Sequence, residues 1–145
     1  METVLHGGCL CGAVRYECMG DTENASYCHC DDCKKATGGP YTVGVLARAD
    51  TLRIVSGQVE GYTTIADSGR KITRHFCPNC GSPLFTRGEK SPDLLFLKAG
   101  SLDRPELIKP NCQTWTKRAV PWAYIDKTLP AYPEDSDSGA DTVRE

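Results

Sequence analysis

Tyr27-Cys-His-Cys-Asp-Asp-Cys-Lys-Lys-Ala-Thr-Gly-Gly-Pro40 places Cys28, Cys30 and Cys33 within six residues. Zinc in proteins is normally four-coordinate, so this C-x-C-x-x-C cluster supplies three thiolates and leaves the last position to a distant residue, water or substrate. Which of these fills it separates a structural site from a reactive one. Acids at Asp31 and Asp32, lysines at Lys34 and Lys35 and a stop at Gly38-Gly39 predict one or two helical turns over residues 31–37. Cys33 then lies near a helix N-terminus, where partial positive charge favours a thiolate suited to ligation or nucleophilic attack.

Working outward, Gly7-Gly-Cys-Leu-Cys-Gly12 brings Cys9 and Cys11 two residues apart between glycines. In an extended strand both sulfurs face the same way and can approach one ion. Further on, Cys77-Pro-Asn-Cys-Gly81 has the signature of a zinc knuckle. A redox dithiol would begin a helix in a βαβ unit, and Gly81-Ser-Pro83 prevents that helix. Cys9, Cys11, Cys77 and Cys80 together compose a closed tetrathiolate, which would tie the first strand to the middle of the chain. Spacing leaves a second pairing open, in which Cys77 and Cys80 complete the site begun by two cysteines of the central cluster.

The remaining chain reads as short strands. Ala13–Cys18 is a strand followed by a polar loop from Gly20 to Ser26. Tyr41–Ala47, Leu52–Val55 and Tyr62–Ile65 carry β-branched and aromatic residues between turn formers and predict a β meander. Lys71–Phe76 alternates like a half-buried strand, and Leu84–Thr86 and Leu94–Ala99 follow, the last apolar enough to be central. Leu102–Leu107 reads as a loop, and Asn111–Thr116 with Trp122–Ile125 complete the folded part. The chain is predicted as one domain over residues 1–133 followed by an acidic tail over 134–145, polar enough to have little independent order.

The formal charge is −2; the tail holds −4 of it, so the remainder is +2. No strong basic field recruits nucleic acid or an anionic membrane, and no apolar run is long enough to span one. Nine cysteines in clustered spacings, behind an N-terminus without a secretory pattern, point to a reducing, cytoplasmic setting and to metal rather than disulfides.

The central cluster has a structural reading, in which Cys18, Cys112, His6, His29 or His75 closes the zinc. Cys18 and Cys112 read instead as buried thiols acting as small hydrophobes. His29, flanked by two ligands, would face away from them and is expected beside the site or in solvent. The functional reading follows from donor chemistry. Three thiolates donate much charge and make zinc a weaker activator of water than three histidines would. They suit it to holding an incoming thiol as a nucleophilic thiolate. Trp115, Trp122, Tyr124 and Tyr132 read as core and rim. Lys34, Lys35, Arg74, Arg87, Lys117 and Arg118 read individually as solvated charges, although together they could meet the carboxylates of a peptide thiol.

Three motifs in order, Gly7-Gly-Cys-Leu-Cys-Gly-Ala-Val-Arg-Tyr16, Cys28-His-Cys-Asp-Asp-Cys33 and Phe76-Cys-Pro-Asn-Cys-Gly-Ser-Pro-Leu84, resemble the glutathione-dependent formaldehyde-activating enzyme family, whose domain is shared by the centromere protein V group. The likeness extends from His6 to about Pro133 through Trp115, Pro121-Trp122 and Leu129-Pro130. It implies a mainly β, Mss4-like fold with two zinc ions. Carried across by position, it implies a structural zinc on Cys9, Cys11, Cys77 and Cys80 and a catalytic zinc on Cys28, Cys30 and Cys33. The implied activity is a carbon–sulfur lyase reaction, run in the condensing direction, that joins glutathione and formaldehyde. His29, His75 and Tyr41 are candidates for the proton donor. The alternative is a non-catalytic, zinc-stabilised module that binds a thiol or a protein partner. Either a monomer or a homodimer is compatible with the sequence.

Overall fold

A computed structural model describes residues 1–135. Among them, nine strands and one short α-helix are formed: β1 (Glu2–Gly8), β2 (Arg15–Cys28), α1 (Asp31–Thr37), β3 (Thr42–Arg48), β4 (Arg53–Ser56), β5 (Glu60–Ile65), β6 (Lys71–Phe76), β7 (Pro83–Gly88), β8 (Leu94–Lys98) and β9 (Cys112–Thr114). The main sheet runs β1-β2-β3-β8-β7-β6-β5, and β4 and β9 both attach to β2. Every pairing is antiparallel except β2 with β9. The architecture is mainly β, as expected.

β2 is the strand on which the others depend, and here the structure corrects the reading of residues 20–26 as a loop. Tyr16, Cys18, Gly20, Ala25, Ser26 and Cys28 are buried, while Asp21, Thr22 and Glu23 leave the core. The polar stretch stays extended because its backbone finds partners. Glu2 pairs with Asp21, Lys109 N–H donates to Thr22 O, and Asn111 N–H donates to Ala25 O. A register irregularity between Gly20 and Ala25 then divides β2 into two halves. The first half lies beside β1 and β4, and the second beside β3 and β9.

That division also corrects the expected meander. The strands predicted near Tyr41–Ala47, Leu52–Val55 and Tyr62–Ile65 all form, but they do not pair in sequence. β3 pairs with β2 and β8, β4 returns to β2, and β5 forms a hairpin with β6. The true meander is β5 to β8. β8 sits between β3 and β7 with Leu95, Phe96 and Leu97 buried, so the apolar run Leu94–Leu97 was a sound marker of a central strand.

The core combines Leu5, Val14, Tyr16, Val45, Ala47, Leu84, Phe85, Leu95 and Leu97. A second, smaller buried group is made of Cys28, Cys30, Cys33 and Trp115. Glu134 and Asp135 contact the folded part: Trp115 N–H donates to Glu134 O, and Asp135 accepts from Trp115 Nε1 and pairs with Arg70, each at 2.9 Å. The expectation of little order in the tail lies, from residue 136 onward, outside the described residues.

Candidate metal centres

The β1–β2 turn supplies Cys9 and Cys11, and the β6–β7 turn supplies Cys77 and Cys80. Contrary to the strand reading, Cys9 and Cys11 lie in a tight turn closed by Gly12 N–H to Cys9 O, because β1 ends at Gly8. Gly81, at φ 80°, takes the left-handed conformation that ends the second turn, and its N–H reaches Cys77 O at 2.8 Å. The four Sγ atoms lie within 4.8 Å of one another. Cys9 to Cys11 is 3.6 Å and Cys11 to Cys77 is 3.9 Å. A tetrahedron with metal–sulfur bonds of about 2.3 Å has edges of about 3.8 Å, so the sulfurs already stand where one ion needs them.

Neutral donors surround this group. Val14 N–H and the Asn79 amide each reach a sulfur at 3.2 Å, Cys9 and Cys11 respectively, and the Ser82 hydroxyl lies 3.2 Å from Cys80. Ser82, through its hydroxyl and then its backbone N–H, holds the Cys80 thiol down to about 5. Ser82 Oγ also accepts from Leu10 N–H, which joins the two turns directly.

The three-cysteine group is built differently. Cys28 ends β2, Cys30 is the N-cap of α1, and Cys33 lies in the first turn of the helix. Cys30 Sγ accepts from Cys33 N–H at 3.3 Å, and Gly38 closes the helix in the left-handed conformation at φ 78°. All three sulfurs lie within 4.8 Å of one another, and all three residues are buried against Trp115. Trp115 itself has φ 56° and is held there by backbone bonds to the segment 132–134.

The strand register brings cations to this group. Cys28 faces Thr42 across β2–β3, and Lys98 faces Gly44 across β3–β8. Lys98 Nζ therefore reaches Thr42 Oγ1, at 3.2 Å. Arg74 comes from β6 and places Nη2 4.0 Å from Cys33 Sγ, while Nη1 donates to Thr64. Hydrogen bonds from Cys28 and Cys30 hold the Cys33 thiol well below its ordinary value, and Lys98 and Arg74 lower it further. The Cys28 thiol is correspondingly raised. Burial lowers Lys98, opposed by the field of Cys33.

Neither group includes Cys18, Cys112, His6, His29 or His75 among the described residues. Cys18 is buried, with its sulfur 3.3 Å from Arg48 O, and Cys112 is also buried. His29 is fully buried rather than solvated. Gln113 donates Nε2 to Asp126 O, so its Oε1 must accept from His29 Nε2 at 2.9 Å. His29 Nδ1 is then the bare nitrogen, with no hydrogen-bond partner among the described residues. His75 stacks on Phe85 at 4.6 Å. His6 is exposed near Glu17.

Of the cations expected in solvent, Arg74 is the one that the fold carries to a sulfur. Lys34 pairs with Asp31 at 3.0 Å, Arg118 bridges Asp31 and Asp67, and Lys117 pairs with Glu134. Lys98 was not singled out from the sequence. Its signal was a lone cation closing the apolar run Leu94–Leu97. Trp115 proved to be core, whereas Trp122 and Tyr124 are exposed.

A cavity of about 810 Å³ borders Cys9 of the four-cysteine group and reaches Tyr27 and Thr42, the chain and strand neighbours of Cys28, while none of Cys28, Cys30 and Cys33 lines it. Tyr27, Tyr41, Thr42 and Lys98 line it, with the Arg15–Asp103 ion pair also on its wall. Cys9 and Ser82 reach it from the four-cysteine side. Each cysteine group thus has the donor set and spacing to hold a metal ion, and the second has only three thiolates to offer. No helix among the described residues is long and apolar enough to cross a membrane.

Comparison with known proteins agrees with this geometry. Residues 4–118 match the family of the "Glutathione-dependent formaldehyde-activating enzyme". A Halomonas elongata protein named "Putative glutathione-dependent formaldehyde-activating enzyme" is 28% identical over 151 aligned positions, covering 92% of this chain and 91% of its own. A crystal structure of a Rhodobacter sphaeroides protein shares the fold at a TM-score of 0.57 and 23% identity, over 68% of this chain and 88% of that one. The antiparallel sheet and its two cysteine groups are the Mss4-like arrangement that this family implies. With most of its length matched and both cysteine groups assembled, the chain belongs to the glutathione-dependent formaldehyde-activating enzyme family.

Proposed function

We propose that the chain is a zinc-dependent carbon–sulfur lyase working in the condensing direction, adding a thiol such as glutathione to formaldehyde or a related small aldehyde. One observation carries the reading: three buried sulfurs converge with no fourth cysteine or histidine joining them among the described residues. Cys9, Cys11, Cys77 and Cys80 would hold a structural zinc, and Cys28, Cys30 and Cys33 the catalytic one. Zinc bound by those three thiolates supplies a soft Lewis acid that keeps an incoming sulfur deprotonated near pH 7.

The remaining steps belong to the chain and its substrates. The substrate sulfur forms a bond to the aldehyde carbon, the carbonyl π pair moves to oxygen, and that oxygen takes up a proton. Tyr41 is the best placed of the three candidate donors, since it lines the cavity. The Nε2 proton of His29 is committed to Gln113, and His75 is packed on Phe85. Trp115 packs with the three buried sulfurs and shields them from bulk solvent. The nine cysteines, none in a disulfide, suit a reducing, cytoplasmic setting.

The Cys30→Ser variant tests this reading. Product formation from glutathione and formaldehyde should drop to the uncatalysed rate while the fold and the other metal persist. Unchanged turnover in a correctly folded variant would overturn the assignment. Saturable thiol binding by the wild-type chain without rate enhancement would support the binding-module alternative instead.

A further inference from the structure

We propose that Lys98 and Arg74 select what joins the three-cysteine metal, favouring an anionic thiolate over water whatever the rest of the thiol molecule carries. This rests on the proposed function above and adds two specificity-determining residues to it. The pairings Cys28↔Thr42, Gly44↔Lys98, Thr86↔Phe96 and Arg74↔Thr86 run across four neighbouring strand pairs. Directly paired residues share a face, as do residues two apart on a strand. Cys28, Thr42, Lys98, Phe96, Thr86 and Arg74 therefore all lie on one side of the sheet, and Lys98 and Arg74 flank the sulfurs from that side.

Both cations have capacity beyond their present bonds. Arg74 Nε is buried without a hydrogen-bond partner among the described residues. The Lys98 ammonium has three protons, donates to Thr42, and stands on the cavity wall. Charge then decides between ligands. A divalent ion with three thiolates carries one net negative charge, and two cations beside it leave one positive charge in excess. Water adds nothing to this balance, whereas a thiolate brings it to zero. In a buried site such an imbalance is expensive, so the neutral combination is favoured. A thiol arriving protonated would release its proton to solvent on becoming the thiolate that these two cations favour.

The test uses the full chain loaded with cobalt(II), whose thiolate charge-transfer absorption reports each added sulfur. Glutathione and 2-mercaptoethanol, which has no carboxylate, are titrated into wild type, Lys98→Met, Arg74→Met and the charge-keeping Lys98→Arg and Arg74→Lys, with metal content measured on each. Both thiols should bind about tenfold or more weakly to the methionine variants, by a similar factor, and the charge-keeping variants should recover most of the loss. Undiminished thiol affinity in metal-loaded Lys98→Met would overturn the proposal. So would a loss confined to glutathione, because the cations would then be reading its carboxylates. If Arg74→Met does not fold, Lys98→Met and Arg74→Lys carry the test. A wild-type chain with both sites loaded and no thiol-dependent absorption would overturn the proposed function together with this inference. Thiol binding that is normal in wild type and unaltered in the variants would remove this inference alone.

Discussion

The two cysteine groups use the same donor atom and solve opposite electrostatic problems. The four-cysteine group sits in two surface turns, with Cys11 exposed, and its sulfurs are met by neutral groups: Val14 N–H, the Asn79 amide and the Ser82 hydroxyl. Four thiolates around a divalent ion leave two negative charges, which water at the surface can solvate. The three-cysteine group is buried, and it is met by Arg74 and Lys98. A net negative ion cannot be hidden in a protein without compensation, so cations take the place of water there. The difference teaches how one fold balances the charge of two sulfur clusters, with neutral donors and solvent at the surface and with cations in the interior.

The largest expected effect tests whether the groups are distinct in role. Cys77→Ser should remove one metal and cost more than ~4 kcal/mol of stability, because the ion ties the β1–β2 turn to the β6–β7 turn. Cys33→Ser should lose the other metal and melt much closer to wild type. Metal counts with thermal melts decide it, and equal melting of the two variants would break the comparison.

An intermediate effect sharpens it from the side of the first turn. Burial pushes the Tyr16 hydroxyl up to about 12, with its bond to Ser101 opposing, against an ordinary value of 10. The fold therefore favours the neutral phenol. Stability should be complete below pH 10 and fall by about 2–3 kcal/mol as pH rises from 10 through 12. Ultraviolet titration should show a late tyrosinate step that Tyr16→Phe removes. A phenol that ionises with the exposed tyrosines would refute the sign and the cause.

The smallest effect concerns the wall of the buried group. Asp135→Ala removes the acceptor of Trp115 Nε1 and the partner of Arg70, and should cost about 1–3 kcal/mol. Trp115 fluorescence should shift, while metal at the four-cysteine group is retained. An unchanged spectrum would mean that Trp115 holds its position over the cysteines without Asp135.

Legibility in the sequence followed distance along the chain. Cys28, Cys30 and Cys33 were readable as one site because two- and three-residue spacings are governed by local backbone, here the end of β2 and the N-cap of α1. β8 was readable because full burial leaves an apolar run. The polar stretch of β2 was misread, since side chains at Asp21, Thr22 and Glu23 report their exposure and not the partners of their backbone. Lys98 was passed over for a related reason. A lysine at the end of a strand looks like any surface charge until the strand's neighbours are known.

By itself the sequence determined the three-cysteine set, the separate pairs Cys9/Cys11 and Cys77/Cys80, the short helix that carries Cys33 and the apolar strand at the centre of the sheet, because each is written in residues close together. Its resemblance to a family supplied the partnership of Cys9 and Cys11 with Cys77 and Cys80. Tertiary structure alone decided the rest. It brought Arg74, Lys98 and Trp115 to the three buried sulfurs, through pairings of β3 with β8, β6 with β7 and β2 with β9 that join residues far apart in the chain. Charge balance in a buried site depends on distance in space, and no periodicity along a chain records it.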